Sequence, residues 1–262
     1  MLKRALCSYL LALLCFLPLL PAQTVTYPFI VNGQDLIPYK NRKDVLLVAS
    51  SGRSGSTMLT HILEQYASQY VVLKTHMLPP EEGYIGKIIF IYSNPNKCAE
   101  SMLHQIFTNP DFLPVHFINM ESSDLSWLSR ITHNQTRKLN VLTYDAFGIH
   151  KQLIQWLHQK TTPDSRPPQG AQILALKYEN LWDPNTIQTI KEFLNLQEFE
   201  LPPRIERGYT LEEQDPREID FIQTHNKGTP EHPRYAAYDP ATEIWRNAPP
   251  IQLLKLKKNR NR

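Results

Sequence analysis

The chain has 262 residues, of which 42% are apolar, 20% charged and 10% aromatic, enough for a substantial buried core in one large or two small domains. Apolar content near the globular average excludes a mainly disordered chain, and twenty-one prolines against nine glycines indicate rigid loops rather than flexible linkers. A formal charge of +3 excludes nothing by itself, but two of those charges, Lys3 and Arg4, stand in a distinct leader.

That leader is residues 1–22. Lys3 and Arg4 precede Ala5 to Ala22, an uncharged, leucine-rich run, which reads as a signal peptide or a short membrane anchor. Ala22 offers a small residue for cleavage, whereas Leu20 two positions earlier is not small. Without the leader the charge falls by two to +1, which weakens a nucleic-acid reading based on global charge. Cys7 and Cys15 leave with it. Cys98 alone then allows neither an intrachain disulfide nor a cysteine-based zinc cage.

Residues 23–43 form an irregular lead-in punctuated by Pro28, Gly33 and Pro38. The run Asp44 to Ala49 predicts a buried strand, and Thr57 to Ser68 a helix with Met58, Ile62, Leu63 and Tyr66 on one face. Strands follow over Val71–Lys74 and Lys87–Tyr92, then a helix over Asn96–Phe107. Further helices are predicted over Leu125–Ile131 and Ala146–His158, a proline-containing loop over Asp164–Gly170, a strand over Ile173–Tyr178 and a helix over Asn185–Leu194. Beyond Leu201 the sequence is polar, proline-rich and without clear period. Strands alternating with helices define an α/β fold, a parallel sheet flanked by helices, with a single domain over 44–250 and a basic C-terminal tail over 251–262.

The segment Ser50-Ser51-Gly52-Arg53-Ser54-Gly55-Ser56-Thr57 lies between a predicted strand and helix. There, backbone N–H groups of the loop and first helical turn converge into an anion site, reinforced by the helix dipole and by hydroxyl donors. It is not a Walker A loop, because no Gly-Lys-Ser/Thr ends it and the basic residue, Arg53, lies inside. The plain alternative is a Ser/Gly turn with Ser56 or Thr57 as helix cap. Lys74-Thr75-His76 ends the second strand, on the edge where open α/β sheets place ligands. A histidine there can take a proton from a hydroxyl nucleophile near neutral pH, although a lone histidine is more often structural.

Together these segments resemble the sulfotransferase family, which transfers sulfuryl from 3′-phosphoadenosine 5′-phosphosulfate. Arg53-Ser54-Gly55-Ser56-Thr57 is similar to the family's 5′-phosphosulfate loop, in the arginine form common among carbohydrate sulfotransferases. Lys74-Thr75-His76, followed by Pro79, is similar to the segment carrying the catalytic histidine of the cytosolic branch. Lys87 to Ser101 resembles the strand and helix that bind the 3′-phosphate, with Ser101 at the phosphate-binding serine. Leu176-Lys177-Tyr178-Glu179-Asn180-Leu181 resembles the segment whose tyrosine lies near the adenine, and Asn226-Lys227-Gly228-Thr229 partly matches the late Arg-Lys-Gly phosphate motif. The likeness spans roughly Asp44 to Gly228.

The resemblance implies a P-loop-like fold and an in-line displacement in which the protein positions reactants and stabilises charge. It makes His76 the base toward an acceptor hydroxyl, Arg53 the partner of charge developing on the leaving phosphate, and Lys74 a ligand of the sulfuryl oxygens. Donor-binding residues are then Arg53, Ser54, Gly55, Ser56, Thr57, Ser101, Tyr178, Lys227 and Gly228, with no metal required. Two departures stand out. Ser93 replaces the arginine that usually ends the third strand, and Asn226 replaces the arginine of the late motif. Each loses a bidentate phosphate contact; Lys97, Lys227 and Arg234 are the basic residues available to compensate.

The implied acceptor is a hydroxyl of a glycan, a protein tyrosine or serine, or a small molecule; no nucleic-acid partner is expected. Phe107, Phe112, Phe117, Trp127 and Tyr144 are candidates to contact it, though such aromatics are more often core. The leader places the chain in the secretory pathway, lumenal or extracytoplasmic, with a Golgi-type anchor through residues 5–22 if the host is eukaryotic. Asn134-Gln135-Thr136 is then a glycosylation sequon. Lys255, Lys257, Lys258, Arg260 and Arg262 form a solvated tail or a patch for an anionic glycan or membrane. Two other readings remain open. One is a non-catalytic binding protein for a sulfated or phosphorylated ligand. The other is a phosphotransferase, disfavoured by the missing Walker lysine.

Overall fold

The computed structural model describes residues 37–39, 42–76, 86–109, 112, 116, 142, 145, 147–158, 172–204, 216–225, 230 and 235–254. The leader, most of the lead-in, the helix expected at Leu125–Ile131, the loop over Asp164–Gly170, Pro79, Phe117, Trp127, the sequon, Tyr144, Asn226, Lys227, Gly228, Arg234 and residues 255–262 lie outside them. Among the described residues no helix is long and apolar enough to cross a membrane.

Every residue of Val45–Ala49 is buried, because an all-apolar, β-branched run has no face to offer water and fits the middle of a sheet covered on both sides. This strand, β1, leads through a tight loop into α1 (Ser56–Tyr66) and β2 (Val71–Thr75). Then come β3 (Lys87–Tyr92), α2 (Pro95–Thr108), α3 (Ile149–His158), β4 (Gln172–Lys177), α4 (Pro184–Leu194), α5 (Pro216–His225), α6 (Asp239–Asn247) and β5 (Ile251–Leu254). The strands order β2-β1-β3-β4-β5; the first four are parallel and β5 runs antiparallel to β4.

Alternation along each strand divides the core between two faces. Val45, Leu47 and Ala49 of β1, with Phe90 and Tyr92 of β3, pack against Leu153 and Trp156 of α3 and Ala241 of α6. Leu46 and Val48, with Ile89 and Ile91, pack against Leu59 and Leu63 of α1 and Ile190 and Leu194 of α4. Phe90 stacks on Trp156 at 5.2 Å between centroids, and both are fully buried.

Element ends differ from the sequence expectation where caps intervene. Asn94 accepts from the Asn96 and Lys97 amides and Asp183 from the Asn185 amide, so α2 and α4 start at the prolines Pro95 and Pro184. Expected from Ala146, α3 begins at Ile149: Gly148 turns with φ +64°, and the Asp145 carboxylate accepts from the His150 and Lys151 amides. Tyr178 starts a 3-10 turn instead of ending β4. The largest correction lies at the C-terminal end. Residues beyond Leu201 supply α5, α6 and β5, and Ile251–Leu254 joins the sheet where a basic tail was expected from 251.

Since β2 and β3 flank β1 on opposite sides, the chain leaves β1 in one direction and returns to its other side with β3. The carboxyl edge at this switch is where a doubly wound sheet opens a crevice. The Ser50–Gly55 loop, His76 and Ser93 all follow strands at that edge.

Candidate active site at the carboxyl edge

Three left-handed residues build the loop after β1. Gly52, Arg53 and Gly55 all have positive φ, at 90°, 55° and 78°. Left-handed residues in this run turn the chain sharply from strand to helix. Gly55 is the N-cap of α1 and brings no side chain to cap the first-turn amides, so neither Ser56 nor Thr57 serves as the cap. A helix N-terminus opened in this way is a ready anion site. At Gly55 a Cβ would lie 2.4 Å from the Tyr178 ring, so the tyrosine closes directly over the loop.

Hydroxyls lock the loop from beneath. Ser54 Oγ donates to the Ile91 carbonyl of β3 at 3.0 Å. Ser50 Oγ accepts from the Gly52 amide at 3.2 Å and donates to Ser56 Oγ at 2.9 Å. Ser50, Ser54 and Ser56 are buried, whereas Thr57 is exposed. The Thr57 hydroxyl accepts from Lys74 Nζ at 2.7 Å, which places the β2 ammonium at the first turn of α1. Burial, with the Arg53 charge adding to it, pulls the Lys74 pKa down to about 8. Arg53 reaches the other way, its Nε donating to Ser101 Oγ of α2 at 2.9 Å.

His76 Nδ1 lies 3.0 Å from the Ser50 carbonyl and 3.1 Å from Ser50 Oγ. A carbonyl only accepts, so Nδ1 carries the proton and Nε2 keeps its lone pair. Burial is the main cause holding the His76 pKa well below the usual histidine range; the Lys74 charge, His116 and Arg53 push the same way, and the Ser50 carbonyl opposes them. The imidazole is therefore neutral at physiological pH, with its basic nitrogen fixed by the tautomer.

The structure thus brings together Arg53, Ser54, Gly55, Ser56, Thr57, Lys74, His76, Ser101 and Tyr178 on one edge, from four segments. Lys227 and Gly228 lie outside the described residues. Ser93 is turned to another use: its hydroxyl donates to Glu179 Oε1 at 2.6 Å, the Asn94 amide donates to the same oxygen at 3.0 Å, and Trp245 Nε1 reaches Oε2 at 3.4 Å.

Three residues of the site have no signal in the sequence. Glu179 gathers those donors through contacts across 86 and 66 positions. Gln152 of α3 is buried and donates to the His76 carbonyl at 2.6 Å. His116 lies with its ring 5.0 Å from that of His76, and is also in contact with Phe112 and Phe147. Of the aromatics proposed for acceptor contact, Phe112 therefore lies beside the site, and Phe107 packs against the cluster that includes Phe147 and Met102.

No protein-family model matches the chain, and no curated protein matches it. Among solved structures, the chain is similar to mouse sulfotransferase SULT7A1 complexed with PAP, at 16% identity and a TM-score of 0.44, covering 82% of this chain and 89% of the mouse chain.

Proposed function

We propose that the protein is a sulfotransferase that moves a sulfuryl group from 3′-phosphoadenosine 5′-phosphosulfate to a hydroxyl acceptor of a glycan or protein in the secretory pathway. The observation that carries the reading is the joining of an anion loop, a buried ammonium and a neutral imidazole within one hydrogen-bonded unit at the carboxyl edge of the sheet.

The chain's own groups divide the work. His76 Nε2 accepts the acceptor's proton as the hydroxyl oxygen bonds to sulfur, and the Nδ1–H held by Ser50 keeps that lone pair available. Lys74 and the first-turn amides of α1 hold the sulfuryl oxygens. Arg53, tied to Ser101, stabilises charge on the oxygen from which sulfur departs; a guanidinium does not deprotonate, so it serves through charge alone. Tyr178, packed on Gly55, is the platform for the base.

A second reading rests on Ser93. With its hydroxyl and the Asn94 amide both given to Glu179, a carboxylate stands at the end of β3 where the resemblance expects an arginine for the 3′-phosphate. This favours an inactive, sulfotransferase-like binding protein for a sulfated or phosphorylated ligand. Incubation of the full chain with radiolabelled donor and a panel of glycan and peptide acceptors separates the two. Transfer that disappears in His76→Ala supports the enzyme; ligand binding without transfer to any acceptor supports the binding protein.

A further inference from the structure

Among the described residues β2 is an end strand of the sheet, with β1 on one side and no strand on the other. Its ladder to β1 ends in the Ser50 amide donating to the Thr75 carbonyl at 3.1 Å, one residue before His76. A strand that has left its ladder must satisfy the next carbonyl elsewhere, and that carbonyl belongs to the base. Gln152 of α3 takes it, its Nε2 donating to the His76 carbonyl at 2.6 Å. Both residues are buried, Gln152 at 3% exposure and His76 at 5%.

The two carbonyls bracket the histidine. That of Thr75 lies in the peptide plane before His76, that of His76 in the plane after it. With both planes held, φ and ψ of His76 are set, and with them the direction of its Cα–Cβ bond. The Nδ1 bond to the Ser50 carbonyl then fixes the ring about that direction. Gln152 itself issues from an anchored element. Its own amide donates to the Gly148 carbonyl at 2.9 Å, in the turn that the Asp145 carboxylate caps. Next to it, Leu153 packs on the sheet, Trp156 stacks on Phe90, and Ile149 packs with Cys98 and Met102 of α2. A side chain on so fixed a helix turn holds its partner to a defined position.

We propose that Gln152 is a positioning residue for the base: by holding the peptide plane after His76, it sets the direction from which Nε2 meets an acceptor hydroxyl. This role rests on the sulfuryl-transfer reading for the identity of the base, and it makes α3 a part of the catalytic apparatus. An amide suits the place. It donates without adding a third positive charge beside Lys74 and Arg53, whose charges already act on His76. A residue that works through another governs the chemical step rather than nucleotide binding, and a displacement of about 1 Å can cost about a hundredfold in rate.

The test compares Gln152→Leu, which keeps the bulk and removes the donor, with Gln152→Glu, which keeps the shape and donates only while its carboxyl is protonated. NMR of the full chain with isotopically labelled histidine reads the His76 ring directly, with neither donor nor acceptor present. The wild type should show one tautomer, with a slowly exchanging proton on Nδ1. Gln152→Leu should lose that single signal to mixed tautomers and fast exchange, while affinity for adenosine 3′,5′-bisphosphate stays within about twofold. Gln152→Glu should keep the wild-type signal until its carboxyl ionises and lose it then, a pH series that decides the matter even where Gln152→Leu does not fold. A signal unchanged in Gln152→Leu, or one in Gln152→Glu that does not follow the ionisation of its carboxyl, overturns the role. Transfer assays on the same samples should show kcat down about ten- to hundredfold in Gln152→Leu with little change in KM for the donor. Altered His76 signals with no transfer by the wild type refute sulfuryl transfer alone; wild-type transfer that is undiminished in Gln152→Leu refutes the positioning role alone.

Discussion

Arg53 Nε donates to Ser101 Oγ at 2.9 Å across 48 positions of sequence, tying the loop after β1 to the helix after β3. On the proposed reading, this guanidinium joins the segments assigned to the 5′- and 3′-phosphates of the nucleotide. Ser101→Ala removes a hydrogen bond to a charged group, worth about 1.5–3 kcal/mol. Because that bond is made within the folded chain, its loss should lower stability by up to that amount in chemical denaturation and, by loosening the hold on Arg53, weaken nucleotide affinity measured by calorimetry.

Gly55 is required twice, by its φ of +78° and by the Tyr178 ring 2.4 Å from any Cβ. Gly55→Ala should cost about 1–2 kcal/mol for the left-handed backbone alone. Displacement of Tyr178 adds to that. Chemical denaturation should show the stability loss, and nucleotide titration a larger functional loss than Ser101→Ala.

The pH dependence should be asymmetric. Lys74, with its pKa pulled down to about 8, loses its charge on a rise through that pH, so nucleotide affinity should decline from pH 7 to 9. Lys74→Met should flatten the profile. The stability linkage has the opposite sign: between about 8 and the ordinary lysine value of 10.5 the unfolded chain binds more protons, so this group's contribution to stability rises with pH there. On the acid side His76 is already neutral, so turnover should not fall as pH drops through the usual histidine range. A decline centred there would contradict a His76 pKa held down by burial.

Glu179 accepts from Ser93 Oγ, the Asn94 amide and Trp245 Nε1, linking β3, the start of α2 and α6. Glu179→Ala strands these donors and should destabilise the fold by about 1–3 kcal/mol, measured by urea unfolding.

Local signals made part of this legible. The β1–loop–α1 unit shows in the sequence because an apolar run, glycines at turning positions and a helical period follow one another without interruption. Lys74 and His76 show because they close a strand. Glu179, Gln152 and His116 do not, since each reaches the site by a tertiary approach that no spacing encodes. The C-terminal elements were missed for another reason. Ile251-Gln252-Leu253-Leu254 is four residues long with Leu253 53% exposed and carries no strong period; α6 does set Ala241, Ile244 and Trp245 on one core-facing stripe, but it is nine residues long and sits in a polar, proline-rich stretch where so short a period does not stand out.

The central claim is that this edge binds a nucleotide with both a 5′- and a 3′-phosphate, despite the carboxylate beside Ser93. Calorimetric titration of the full chain with adenosine 3′,5′-bisphosphate, against adenosine 5′-phosphate, tests it most directly. The account predicts micromolar binding that weakens at least tenfold without the 3′-phosphate. Equal affinity for both nucleotides, or binding of neither, would contradict it.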